Sequence, residues 1–287
     1  MKDDSKLGYM LIFPGLLILC TLVFYPIILT FIYSLQYYKL TRLNDRKYIG
    51  LENYKKVFLD GDFHQAFINT LIIILVVVIV GLIGSFIMAL MLNRKSKISG
   101  ILTAIGIIPW ALPPVVNGLI WKFIFYPEVG FLNKIFYKFH WINGSLNWIN
   151  NTYGSLIIIG LIVAWRVIPF SGIVLLANIQ AIPESVYEAA KIDGAGSLNQ
   201  FRYITLPLLY PTLGIIVCNF ILNGINVFDE MVSLVGYRTL GESLTMYNYN
   251  ETFSFLNIGF GSSITYIIMI ISGIFGFIYI KSLERKI

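Results

Sequence analysis

Six apolar runs dominate the chain, near Tyr9–Tyr38, Ala66–Leu92, Gly100–Phe125, Tyr153–Asn178, Pro207–Leu234 and Phe260–Ser282. Each is long enough to cross a hydrocarbon core about 30 Å thick, which takes about 20 helical residues. A soluble domain of 287 residues could bury a core, but it could not hide that many such runs. Charged residues make up 13% of the chain, about half the share of a soluble domain. The expectation is one all-α domain over residues 1–287, a polytopic membrane protein with six transmembrane helices and the bilayer as its solvent. Pro14, Pro26, Pro109, Pro113, Pro114 and Pro169 lie inside or beside these runs and predict kinks. No internal repeat marks a doubled carrier fold. Gly81, Gly84 and Ser85, with Gly273 and Gly276, offer places for close helix approach.

The formal charge of +6 sits mostly between the apolar runs, where it suits anionic lipid headgroups and not nucleic acid. Lys and Arg divide almost evenly between the two sides, so their density orients the chain. The Arg94-Lys95-Ser96-Lys97 turn and the C-terminal Lys281, Arg285 and Lys286 place both termini and the 179–206 loop in the cytoplasm. The start MKDDSK runs into apolar sequence without a small-residue cleavage site and reads as a retained helix. Cys20 and Cys218 each lie inside an apolar run and read as small buried hydrophobes. Outside the membrane, residues 39–65 hold a short amphipathic helix at IGLENYKKVF, while 126–152 and 235–259 read as turn-rich loops.

Catalytic signatures are missing. His64 and His140 stand alone without HExxH spacing or a Cys/His cluster, so no metal site is expected. There is no GxSxG, and Gly194-Ala195-Gly196 has Asn199 where a dinucleotide fingerprint needs glycine. Without a P-loop the chain carries no cofactor site of its own, and any ATP and Mg would be bound by another subunit. Asn143, Asn150 and Asn250 head sequons that Asn-rich loops produce by chance.

Polar side chains inside apolar runs are costly in lipid and tend to face a cavity or a partner. Arg166 in LIVAWRVIPF is the strongest case, at about 2.5–3.5 kcal/mol on insertion scales. Asn219, Asn223 and Asn226 follow i, i+4, i+7 spacing and share a helix face. Their amides could line a path for hydroxyl-bearing solutes or hydrogen-bond neighbouring helices. Asp229-Glu230 reads as interfacial, and Lys122 as a snorkelling residue.

Between the fourth and fifth runs, residues 183–206 form the most polar patterned segment. Glu188 opens an amphipathic turn, Asp193-Gly194-Ala195-Gly196 is a sharp turn signal, and Ser197 is placed to cap a second short helix ending before Pro207. A helix–turn–helix protruding from a membrane bundle is a docking surface for a soluble partner.

Glu188-Ala189-Ala190, then Gly194, then Ile204, Leu206 and Pro207 match the EAA loop of binding-protein-dependent ABC importer permeases at every fixed position. AIPESVYEAAKIDGAG, ITLPLLYP, Tyr25-Pro26, Tyr33-Ser34, Gly50–Tyr54, Asn69-Thr70 and Trp121–Asn133 resemble the maltose-transporter-type carbohydrate branch over nearly the whole chain. The resemblance implies a type I importer with a second, homologous permease (a heterodimer), two cytoplasmic ATPases and an extracytoplasmic solute-binding protein. It implies ATPase coupling through Glu188, Ala189, Ala190, Asp193, Gly194, Ile204, Leu206 and Pro207. It also puts the sugar against Trp165–Arg166 and Asn219, Asn223 and Asn226. Arg166 is one charge more than a neutral-sugar path needs, so an acidic or phosphorylated solute is the alternative cargo. An intramembrane enzyme or a self-contained carrier fits these residues less well.

Overall fold

The computed structural model describes residues 2–93, 99–142, 144, 146–149, 151–239 and 241–284, with backbone alone for 2–9, 279 and 282–284. The Arg94–Lys97 turn, the Asn143 and Asn150 sequons, and Arg285 and Lys286 lie outside these. In chain order the helices begin with α1 (Lys2–Leu19), which passes through a π turn (Cys20–Phe24) into α2 (Tyr25–Ser34). A small antiparallel pair, β1 (Gln36–Tyr37) and β2 (Lys47–Tyr48), precedes α3 (Glu52–Leu59) and α4 (Gly61–Leu92). There follow α5 (Ser99–Ala111), α6 (Pro114–Ile124), α7 (Phe131–Lys138), α8 (Thr152–Gln180), α9 (Glu184–Ile192) and α10 (Ser197–Gln200). A π turn (Phe201–Thr205) leads into α11 (Leu206–Ile225), and α12 (Asp229–Val235), α13 (Leu244–Tyr249) and α14 (Ile258–Glu284) complete the order.

Among the described residues, five helical stretches are long and apolar enough to cross a membrane: Met10–Ser34, Gly61–Leu92, Thr152–Gln180, Ser197–Ile225 and Ile258–Ile278. The pair α5 and α6 makes a sixth if taken as one span, but it is bent by 99°. The bend falls at Leu112–Pro113–Pro114, because a residue before proline avoids the helical region and each proline lacks an N–H donor. The fifth stretch also differs from its apolar run. It starts at Ser197 and runs on through Pro207, which stands in the first turn of α11 directly after the π turn Phe201–Thr205. It then breaks after Ile225 and restarts at Asp229, inside sequence that reads as one run to Leu234.

The chain divides into two compact units, residues 1–64 with 247–270 and residues 65–246 with 271–287. In the first, Asn53 ties the end of α2 to the β pair by donating to the carbonyls of Ser34 (2.9 Å) and Gln36 (2.8 Å). Arg46 lies over the Tyr38 ring at 4.1 Å and donates to Gln36 Oε1 at 2.8 Å. The amphipathic helix expected at IGLENYKKVF is α3. The apolar stretch 10–34 is almost wholly exposed, Cys20 included, so the cysteine is not the buried hydrophobe its sequence suggests.

The second unit is built around α8. Ile73 and Val77 of α4, Leu156, Ile159, Ile162, Val163 and Val167 of α8, and Ile216 and Phe220 of α11 form its buried core. The small face of α4 does serve for close approach, with Gly81 against the Phe220 ring and Gly84 against Ile168, whereas Gly273 and Gly276 have open space around them. Residues 126–152 are more ordered than a loop. Asn133 on α7 donates to the carbonyls of Pro127 (2.8 Å) and Leu146 (3.0 Å), and accepts from Trp148 Nε1 (3.0 Å). The break after α11 is likewise built in. Thr245 Oγ1 donates to the Ile225 carbonyl (2.7 Å) and Ser243 Oγ to that of Val227 (3.0 Å), satisfying groups that a broken helix leaves open. Asn69 and Thr70 of α4 hold the same segment, Asn69 donating to the Glu242 carbonyl (2.9 Å) and Thr70 Oγ1 accepting from the Leu244 amide (2.8 Å).

Candidate functional site

The polar centre of the second unit starts from Arg166, at the middle of α8. Its Nε donates to Glu230 Oε1 at 2.7 Å and its Nη2 to Asn223 Oδ1 at 3.1 Å. Asn223 passes the order on, its Nδ2 donating to the Asn219 carbonyl (2.9 Å) one turn back on α11. The Glu230 side chain is 4% exposed and that of Arg166 17%. A buried carboxylate and a half-buried guanidinium therefore neutralise each other, and two of the three predicted asparagines align with them. Burying such a pair is tolerated only where the geometry is close and further hydrogen bonds help.

Asn226 does not join this network. It sits at the end of α11, exposed, with its Nδ2 turned back to the Leu222 carbonyl (2.8 Å). Glu230, read from sequence as interfacial, is buried. The helix stops at Ile225 and restarts at Asp229, and the restarted helix α12 brings Glu230 to Arg166 of α8. A lone Arg in an apolar run needs a counter-charge, and that need was the signal by which the pair could have been found.

The short helices α6 and α12 pack closely beside this pair. Gly118 of α6 lies against Ser233 Oγ and the Glu230 carbonyl, with no room for a side chain. Asn117 donates to the Ile162 carbonyl of α8 (3.3 Å), and Trp121 meets Trp165 edge to face at 5.5 Å. Trp165, predicted to face the path, thus stands in an aromatic contact one residue from Arg166. Trp121 also stacks on Phe125 at 5.7 Å.

At another part of the unit, α9 and α10 form the predicted helix–turn–helix. Gly194 has φ +79°. Its amide donates to the Lys191 carbonyl (3.1 Å) and that of Ala195 to the Ala190 carbonyl (2.8 Å). These two bonds around a left-handed glycine are a Schellman termination. Ser197 is the first residue of α10 and makes no cap; Gly196 takes the capping position. Tyr187 Oη and Thr205 Oγ1 hydrogen-bond at 2.9 Å, and Gln200 donates to the Ala195 carbonyl (2.8 Å), so the turn is braced from both sides. Glu188, Ala189, Asp193 and Pro207 are exposed, while Ala190, Ile204 and Leu206 are half-buried. Ile192 and Leu198 flank the turn at 87% and 77% exposure, an apolar pair held out on a rigid support. Among the described residues no group of His, Cys, Asp or Glu has the arrangement of a metal site.

Residues 81–287 match the family described as binding-protein-dependent transport system inner membrane component. The trehalose/maltose transport system permease protein MalF of Thermococcus litoralis is 31% identical, over 97% of this chain and 94% of that protein. The sulfoquinovosyl glycerol transport system permease protein SmoG of Agrobacterium fabrum is also 31% identical, over 99% of this chain and 92% of that protein. Among solved structures, a bacterial ABC transporter involved in the import of the acidic polysaccharide alginate superposes with a TM-score of 0.82, at 20% identity, over all of this chain and 97% of that one. The chain belongs to the family of binding-protein-dependent transport system inner membrane components: it is an all-α integral membrane permease subunit with the type I ABC importer fold, a transport subunit and not an enzyme.

Proposed function

We propose that this permease carries a sugar or oligosaccharide into the cytoplasm, along a path lined by α8 and α11. The observation that carries this reading is the polar line Arg166–Asn223–Asn219 inside an apolar bundle, with its one cation matched by Glu230. Amide groups and a neutralised guanidinium offer donors and acceptors to hydroxyls without a net charge. The relatives' names, trehalose/maltose and sulfoquinovosyl glycerol, support a carbohydrate. An acidic or phosphorylated solute is the second reading: pairing with Glu230 leaves Arg166 no free charge for it, but sulfoquinovosyl glycerol bears a sulfonate and another relative is named for sn-glycerol-3-phosphate.

The α9–α10 loop docks on an ATPase. A rigid turn presenting Glu188, Gly194 and the exposed Ile192 and Leu198 suits insertion into a cleft, and can pass the closure of that partner to the bundle as a rigid-body motion. The assembly in this reading has two ATPases, which bind ATP and Mg, with no cofactor on this chain. A second, homologous permease completes the path, and an extracytoplasmic binding protein delivers the solute. Both termini and the 183–206 loop lie in the cytoplasm.

The test is uptake by the whole importer in proteoliposomes. Asn223→Leu should cut uptake at least tenfold while solute affinity of the binding protein is unchanged; unaltered uptake kinetics would make the asparagine face mere packing.

A further inference from the structure

We propose that Glu230 determines the charge preference of the solute path: it cancels the charge of Arg166 and positions the guanidinium as a hydrogen-bond donor to uncharged, polyhydroxylated solutes. The proposal rests on the reading that solute passes between α8 and α11. The two partners are not equally placed. The Glu230 side chain is 4% exposed and that of Arg166 17%, so the anion is the more deeply buried of the two and the arginine side chain keeps some accessible surface. Glu230 takes Nε and Asn223 takes Nη2, which fixes the plane of the guanidinium. Arginine presents five N–H donors in a rigid fork, so the remaining N–H groups keep a set direction.

Glu230 holds its place because of the fold around it. The restarted helix α12 carries Glu230 in its first turn, and the close contact of Gly118 with the Glu230 backbone holds α12 against α6. Asn117 and Trp121 dock α6 on α8 at Ile162 and Trp165, within one turn of Arg166. A carboxylate brought in by this route is a fixed counter-ion. Without it, Arg166 would be a lone cation in a low-dielectric path, where attraction for an anion is far stronger than in water.

The experiment uses the complete importer purified in detergent and titrated with glucuronate and with glucose, read by thermal shift. Glu230→Gln keeps the shape and frees the charge. It should bind glucuronate at least tenfold more tightly than the wild type does, with the response to glucose unchanged or weaker. Glu230→Asp keeps the counter-charge and should show no such gain. Arg166→Gln combined with Glu230→Gln removes both charges and should abolish the gain. Equal glucuronate responses in wild type and Glu230→Gln, or a gain that survives in the double variant, would overturn the proposal and leave the pair as a brace between α8 and α12. Normal uptake by Asn223→Leu would instead sink the path itself, so the two failures are distinct.

Discussion

Arg166 on α8 donates from Nε to Glu230 Oε1 on α12 across 2.7 Å, joining the most buried of the long helices to one that restarts after a break. Removing Glu230 leaves the half-buried Arg166 without its counter-charge, which is destabilising but by less than the ~3–5 kcal/mol lost when a fully buried pair is broken. Replacing both by apolar residues of similar size removes the desolvation cost as well as the attraction. Glu230→Ala should therefore lower the thermal midpoint of the purified protein clearly, and Arg166→Met with Glu230→Leu should restore most of it. A double variant as unstable as the single one would show that the pair's hydrogen bonds, and not its charge balance, hold α12.

Gly194 turns the α9–α10 loop with φ +79°, and a Cβ there would meet nothing within 4 Å. A substitution is opposed by the backbone alone, at about 1–2 kcal/mol for a left-handed non-glycine residue. Gly194→Ala should leave the chain folded but tilt α9 against α10. Gly194→Asp, or Glu188→Lys, should abolish uptake and solute-stimulated ATP hydrolysis in the assembled importer while membrane insertion is normal. ATPase stimulation at wild-type level would remove the docking role.

Long apolar runs and the EAA spacing made the helical class and the α9–α10 turn legible, because each depends on residues close in sequence. Gly194 is an example: the left-handed turn needs glycine, and the identity of that residue is enough to announce it. The Asn219–Asn223 pair was legible for the same reason, one helical turn apart. Asn226 followed the same spacing but fell at the helix end, where a break that no local residue signals had intervened. That break depends on Ser243 and Thr245, about twenty residues on, capping the carbonyls of Ile225 and Val227. Glu230 was hidden for the same reason, since its partner lies 64 residues away. The bend between α5 and α6 was legible as a kink from Pro113 and Pro114, but not as the 99° turn that lays α6 beside α12.

Gly118 sets how closely α6 approaches α12. A Cβ added there would lie 2.9 Å from the Glu230 carbonyl oxygen and against Ser233 Oγ. The serine can rotate away, but the backbone oxygen cannot move without α12. Overpacking of this kind costs about 1–3 kcal/mol. Gly118→Ala should destabilise the second unit by that order and speed amide exchange in α12, and Gly118→Val should do more. Exchange in α12 unchanged by Gly118→Val would mean the two helices separate easily and do not hold Glu230.

Glu251 lies in the π turn Asn250–Ser254 that follows α13, in the first unit, where burial pushes its carboxyl above the ordinary value of 4.5. A hydrogen bond from Asn257 opposes the shift, Asp60 and Asp62 add to it, and Lys39 offsets part of it. The folded state therefore holds a proton that the unfolded chain releases near the ordinary value. Stability from this group is complete below pH 4.5 and is lost as pH rises through the raised folded value. Raising the pH across that window should loosen the 247–257 segment, read as faster amide exchange than the chemistry of exchange alone gives. Glu251→Gln, which cannot ionise, should flatten the extra slope. A slope that persists in Glu251→Gln would show that Glu251 is not its source.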